Sequence, residues 1–143
     1  LDWKKNFVAG KVKPIAKGEI TVESQDKNPE SILNWTRELI ALRKSSEALW
    51  ADSKFLPIFH EEQPYPMIYL RTNGIETFLI ALNPTGTRKS VKVNAEVAEY
   101  RSATKDIKGN VVPVKTLGKG SYKRTTKGDT ITLEPTSGII VRL

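Results

Sequence analysis

The chain predicts a mostly β protein: an antiparallel β-sandwich of about seven or eight strands, preceded by one amphipathic helix. Two observations carry this. From residue 54 onward short apolar runs recur at period two, separated by Gly, Pro and Asn turn signals. Before that point one segment holds a clear helical period, and it is unusually apolar. With 143 residues, 38% of them hydrophobic, there is room for one domain and an appendage. The boundary is placed at 53/54, giving segments 1–53 and 54–143.

Residues 1–25 read as loop, punctuated by Gly10, Pro14 and Gly18, with a short extended piece at Glu19–Glu23. A helix over about 29–45 follows, with Asn28 as N-cap, Pro29 at the first helical position and Glu30 in the first turn. At about 100° per residue, Leu42, Trp35, Leu39, Ile32, Thr36, Ile40 and Leu33 fall in order around one arc. Arg43 sits at the centre of that arc, where it must meet a carboxylate or backbone carbonyls, or run its stem along the surface. A surface helix needs an apolar stripe only a little over about 100° wide, and this arc covers about half the circumference. That width implies two partners, a β-domain on one side and something larger on the other. Ile32, Leu33, Trp35, Leu39, Ile40, Leu42 and Arg43 are therefore the expected domain-docking residues.

Lys54–Phe59 is the first predicted strand, with Phe55 and Phe59 as packing residues, followed by a polar loop at Glu61–Pro66. Met67–Thr72 and Ile75–Asn83 flank Asn73-Gly74, a strong hairpin signal, and the unbroken run Phe78–Leu82 predicts burial on both faces. Arg88–Asn94 alternates, with Val91 and Val93 inward. Glu99–Ala103 reads as a short strand, and Val111–Leu117 and Ser121–Thr125 flank a Gly118-Lys119-Gly120 turn that reads as a hairpin. Thr130–Glu134 and Ile139–Leu143 close the domain as a hairpin.

Several chemistries are excluded. The absence of cysteine removes disulfides and thiolate metal sites and leaves the compartment open. A single histidine, His60, rules out a histidine metal cluster, and no cofactor motif is present. No apolar run approaches the ~18 residues of a membrane span. Residues 101–128 carry eight Lys or Arg against one acid, Asp106, which accounts for the whole net charge of +7. Lysines on hairpin edges discourage aggregation, and the segment also defines an alternative, a polyanion-binding module. Nucleic acid is not the expected partner, because stacking aromatics are not interleaved with the basic residues. Glu61 and Glu62 beside His60 point opposite ways on an extended segment and cannot flank one bond.

The pattern Ser31-Ile32-Leu33 then Leu39-Ile40-Ala41-Leu42-Arg43-Lys44, followed by Tyr69-Leu70-Arg71-x-x-Gly74 and a buried strand ending in Leu82-Asn83, resembles the end of the α-amylase family of glycoside hydrolases. The likeness is to the oligo-1,6-glucosidase and α-glucosidase branch. Ile131-Thr132-Leu133-Glu134-Pro135 with Ile139–Val141 is similar to the family's final hairpin, and Leu1-Asp2-Trp3 with Ala9-Gly10 to residues beyond its eighth barrel strand. The start, Leu1-Asp2-Trp3-Lys4, reads as a cut edge. The resemblance implies the last helix of a (β/α)₈ barrel leading into a C-terminal sandwich, and a non-catalytic piece of a parent acting on α-glucosidic bonds of starch-like or oligosaccharide substrates. None of the family's three catalytic carboxylates has a counterpart here. The implied partner is the N-terminal catalytic barrel of the same protein, and a second copy could cover the helix face instead. The resemblance also makes Trp3 a candidate substrate contact. A carbohydrate-binding module is a further alternative, with an α-glucan as ligand and Trp50 and Tyr65 as candidate sugar-stacking residues.

Overall fold

The computed structural model describes residues 20–58, 64–94, 98–105, 111, 113–125 and 128–143. The alternating segments become strands because each has one side to bury and turn chemistry at its ends. They are β1 (Lys54–Ile58), β2 (Met67–Thr72), β3 (Thr77–Asn83), β4 (Lys89–Asn94), β5 (Pro113–Leu117), β6 (Gly120–Thr125), β7 (Gly128–Leu133) and β8 (Ser137–Arg142). All neighbours run antiparallel, in a five-stranded sheet ordered β1-β2-β3-β8-β5 and a three-stranded sheet ordered β4-β7-β6. The two form a sandwich. Ile68, Leu70, Leu79, Ala81, Ile139 and Val141 from the larger sheet pack on Val91, Val93, Ile131 and Leu133 of the smaller.

Within residues 54–143 four expectations change. Asn73-Gly74 does join β2 to β3, but the loop is longer than two residues. Asn73 Oδ1 accepts from the amides of Ile75 (3.0 Å) and Glu76 (2.8 Å), which delays the strand to Thr77. The expected strand Glu99–Ala103 is instead a helix, α3 (Ala98–Thr104). Its one large apolar residue, Tyr100, is buried, and no alternation of apolar residues holds the segment extended. The turns at Gly118-Lys119-Gly120 and Pro135–Gly138 join strands in different sheets, so neither is a hairpin. Gly118 (φ +71) and Thr136 (φ 51) take left-handed backbone at these corners. Finally, β1 turns Leu56 and Ile58 to the core, while Phe55 faces away. Phe59 lies outside the described residues.

The chain divides at Leu39/Ile40 into two units. In the first, the extended piece expected at Glu19–Glu23 gives way to a short helix, α1 (Val22–Asp26), because Thr21 and Ser24 exchange side-chain and backbone hydrogen bonds in a capping box. A second helix, α2, spans Ile32–Ser45. It starts three residues later than expected, since Asn28 Oδ1 accepts from the Glu30 amide and closes a turn, leaving Ser31 Oγ to accept from Asn34 N (3.2 Å). Pro29 therefore lies in the turn. Asn34 Nδ2 donates to the carbonyls of Gln25, Asp26 and Asn28, tying the start of α2 to the turn before it. Arg37 pairs with Asp26.

Candidate functional site

Strand β3 shows how one surface arises. A strand packed on one face alternates buried and exposed, yet Thr77 to Ala81 are all buried. Leu79 and Ala81 face the smaller sheet; Phe78 and Ile80 face outward and are covered by Leu42, Ala48 and Leu49. Ala48 lies on a short 3₁₀ turn, Glu47–Leu49, between α2 and β1. Around this cover the outer face of the larger sheet stays apolar. Tyr69, Leu82 and Ile140 are half-buried at its margin. Phe55 is 51% exposed and Met67 46% exposed. The Phe55 and Tyr69 rings lie 5.0 Å apart. Burial holds the Tyr69 phenol above its ordinary 10.0, against the pull of Arg71. The smaller sheet differs, because Ser90, Lys92, Asn94, Ser121 and Lys123 on its outer face are exposed and polar.

A second surface is a groove of about 810 Å³, lined by Glu47, Trp50, Asp52, Lys54, Ser102 and Lys105. Leu56 and Leu143 also line it, and both pack against the inter-sheet core. Trp50 is 45% exposed, and its carbonyl accepts a hydrogen bond from Arg71. The far wall is the β2–β3 loop. Thr72 Oγ1 donates to the Glu76 carbonyl (2.9 Å) and accepts from the Gly74 amide (3.1 Å), so it is committed to holding that wall, as Asn73 is.

No family model matches the chain, and no curated protein matches it. Solved structures do. An α-amylase from H. orenii superposes with a TM-score of 0.63 at 18% identity, covering 85% of this chain and 22% of the other. A trehalose-6-phosphate hydrolase from Bacillus licheniformis gives 0.67 at 20% identity, covering 90% and 21%. An isomaltulose synthase variant from Erwinia rhapontici NX5 gives 0.56 at 23% identity, covering 87% and 20%. These neighbours are α-amylase-family glycoside hydrolases. At such identities the likeness is one of fold. The chain spans about a fifth of the length of each of these structures.

Among the residues expected to dock, Ile32 is 74% and Ile40 50% exposed, Leu33, Trp35 and Leu39 are half-buried, and no residue of α2 is fully buried. Leu42 packs under the larger sheet. Arg43 is exposed and makes no ion pair among the described residues. Tyr65 is exposed and does not line the groove. Trp3, His60, Glu61 and Glu62 lie outside the described residues. Among the described residues no three His, Asp or Glu side chains gather to hold a metal ion, and no helix is long and apolar enough to cross a membrane. Sequence reasoning missed the outer face at Phe55, Met67 and Tyr69. Its signal was legible: in Met67-Ile68-Tyr69-Leu70 both alternating sets are apolar, which a strand with one wet face does not need.

Proposed function

We propose that this chain is the C-terminal portion of an α-amylase-family glycoside hydrolase of the oligo-1,6-glucosidase and α-glucosidase branch. On this reading α2 is the last helix of the catalytic barrel and the sandwich covers and stabilises that barrel. The parent cleaves α-glucosidic bonds by a retaining double displacement, which needs paired carboxylates about 5 Å apart with separated pKa values. Those carboxylates belong to the barrel; this chain supplies an apolar surface.

The supporting observation is the outer face of the five-stranded sheet, where Phe55 and Met67 remain half-exposed beside a centre that is already covered. Each such ring or thioether fully removed from water contributes about 1.5–3 kcal/mol. In the first unit Ile32 adds an apolar side chain of the same kind. Arg43 would meet a barrel carboxylate. The fold neighbours, four-fifths of whose length lies beyond the match, favour a barrel over a second copy as the occupant.

The reading is tested by assaying two proteins on maltooligosaccharides and p-nitrophenyl α-glucoside. The purified 143-residue chain releases no product, and a longer protein extended upstream through the barrel does. Turnover by the chain alone, or an upstream region that folds as something other than a barrel, overturns it.

A further inference from the structure

The tip of the β2–β3 loop combines residues found nowhere else in the chain. Of seven asparagines, Asn73 alone precedes a glycine. Asn28 and Asn83 precede proline, which has no amide proton to lose. The amide that follows Asn34, that of Trp35, is held by the Ser31 carbonyl (2.9 Å). Asn73 and Gly74 are both exposed, and nothing lies within 4 Å of the place a Gly74 side chain would take.

We infer that Asn73 is a site of spontaneous covalent modification, where the side-chain amide is lost to attack by the Gly74 nitrogen and the isoaspartyl product loosens the loop. The Gly74 nitrogen gives its proton to hydroxide and bonds to Asn73 Cγ, closing a succinimide ring. The Cγ–Nδ2 bond breaks, and Nδ2 takes a proton from water and leaves as ammonia. Water then opens the ring at either carbonyl, giving an aspartyl or an isoaspartyl residue. The attacking atom is the next in the chain, so no encounter is needed. Its addition puts negative charge on Asn73 Oδ1, which already accepts from the amides of Ile75 (3.0 Å) and Glu76 (2.8 Å), the distances of an oxyanion hole. Among the described residues the departing Nδ2 makes no hydrogen bond. The Gly74 amide is restrained by Thr72 Oγ1 (3.1 Å) in an exposed bond, open to hydroxide.

The two products act differently. An aspartyl carboxylate still accepts from both amides and keeps the loop. An isoaspartyl residue routes the main chain through Cγ, which lengthens it by a methylene and takes the acceptor away from those amides. That displaces Glu76, whose carboxylate accepts from Ser46 Oγ (2.6 Å) and pairs with Arg142 on β8. Ser46 is buried just before the Glu47–Leu49 turn, so this loop ties that turn to the sheet.

The inference stands whether or not a barrel precedes the chain. The purified chain is aged in mildly alkaline buffer below its thermal midpoint, and peptide mass spectrometry follows the exchange of NH2 for OH at each asparagine. Conversion at Asn73 should run at least about tenfold faster than at Asn94, which is also exposed but precedes alanine and lacks the paired donors. Gly74→Ala should slow it several-fold, because a methyl group crowds the attacking nitrogen; its urea midpoint checks that the variant is folded. The isoaspartyl fraction, separated by chromatography and identified by methyl transfer from S-adenosylmethionine with an isoaspartyl methyltransferase, should unfold at lower urea than fresh protein. Asn73→Asp should unfold with the fresh protein. Conversion at Asn73 no faster than at Asn94, or unslowed in folded Gly74→Ala, overturns the site. An isoaspartyl fraction as stable as fresh protein, or Asn73→Asp as unstable as that fraction, overturns its effect on the loop.

Discussion

Asn83 shows what a single buried polar residue does here. It ends β3 at the point where the chain leaves one sheet for the other. Its Nδ2 donates to the carbonyls of Thr87 (2.9 Å), Glu134 (2.9 Å) and Leu133 (3.3 Å), and its Oδ1 accepts from the amide and hydroxyl of Thr85. One side chain thus ties β3 to the end of β7. Asn83→Ala should cost about 3 kcal/mol, read as a shift of the urea midpoint, because buried carbonyls lose their donor. Asn83→Asp should be no better, since a carboxylate would face three carbonyls. Asp129 holds a second such knot. It is buried on β7, accepts from Tyr100 on α3 and from Tyr122 on β6 (2.5 Å), and has the Arg124 guanidinium 3.6 Å away. Burial first, then the hydrogen bond to Asp129, hold both phenols well above their ordinary 10.0. A raised phenol pKa means that the folded state keeps a proton the unfolded chain gives up above pH 10.0. This contribution to stability is complete below that pH and is lost as pH climbs beyond it. Alkaline titration should show tyrosinate absorbance appearing together with unfolding, and Tyr122→Phe should reduce the part that appears with it.

At the scale of elements, most strands were legible, as was the β2–β3 pairing, but the partners of the strands that follow the two corners were not. Met67–Thr72 was read to the residue, because alternating apolar residues bounded by Pro66 and Asn73 leave little choice. The corners were misread as hairpins because Gly118 and the Pro135–Gly138 turn announce only that the chain reverses. Which sheet receives the next strand depends on long-range packing, such as the Glu134 amide bonding the Lys119 carbonyl (2.9 Å). Helix α3 was missed because its one apolar anchor, Tyr100, fits either period. Helix α2 was legible in its period, while the sheet face was obscured because Phe55 was assigned to the core. Phenylalanine is the larger residue, but Leu56 and Ile58 carry the inward phase of β1. Two glycines separate local strain from crowding. Gly74 (φ +90) has open space where a Cβ would lie, so Gly74→Ala should cost about 1 kcal/mol. At Gly128 (φ +121) a Cβ would run into the carbonyl oxygen of Val93 on the paired strand, so Gly128→Ala should cost about 3 kcal/mol or more. Denaturant midpoints of the two variants check the contrast.

For the molecule as a whole, the sandwich is asymmetric. Its small sheet turns hydroxyls, an amide and lysines to water, and its large sheet turns out rings and aliphatic side chains. Contiguous exposed apolar surface on one face is the mark of an interaction surface. Met67, the one methionine of the chain, sits on the apolar side and reports directly on whether that face is covered. Its rate of peroxide oxidation to the sulfoxide, followed by peptide mass spectrometry, can be compared between this chain and a longer protein that carries the proposed barrel. The account predicts that oxidation is at least about tenfold slower in the longer protein, because the thioether is shielded there. Equal rates would contradict it.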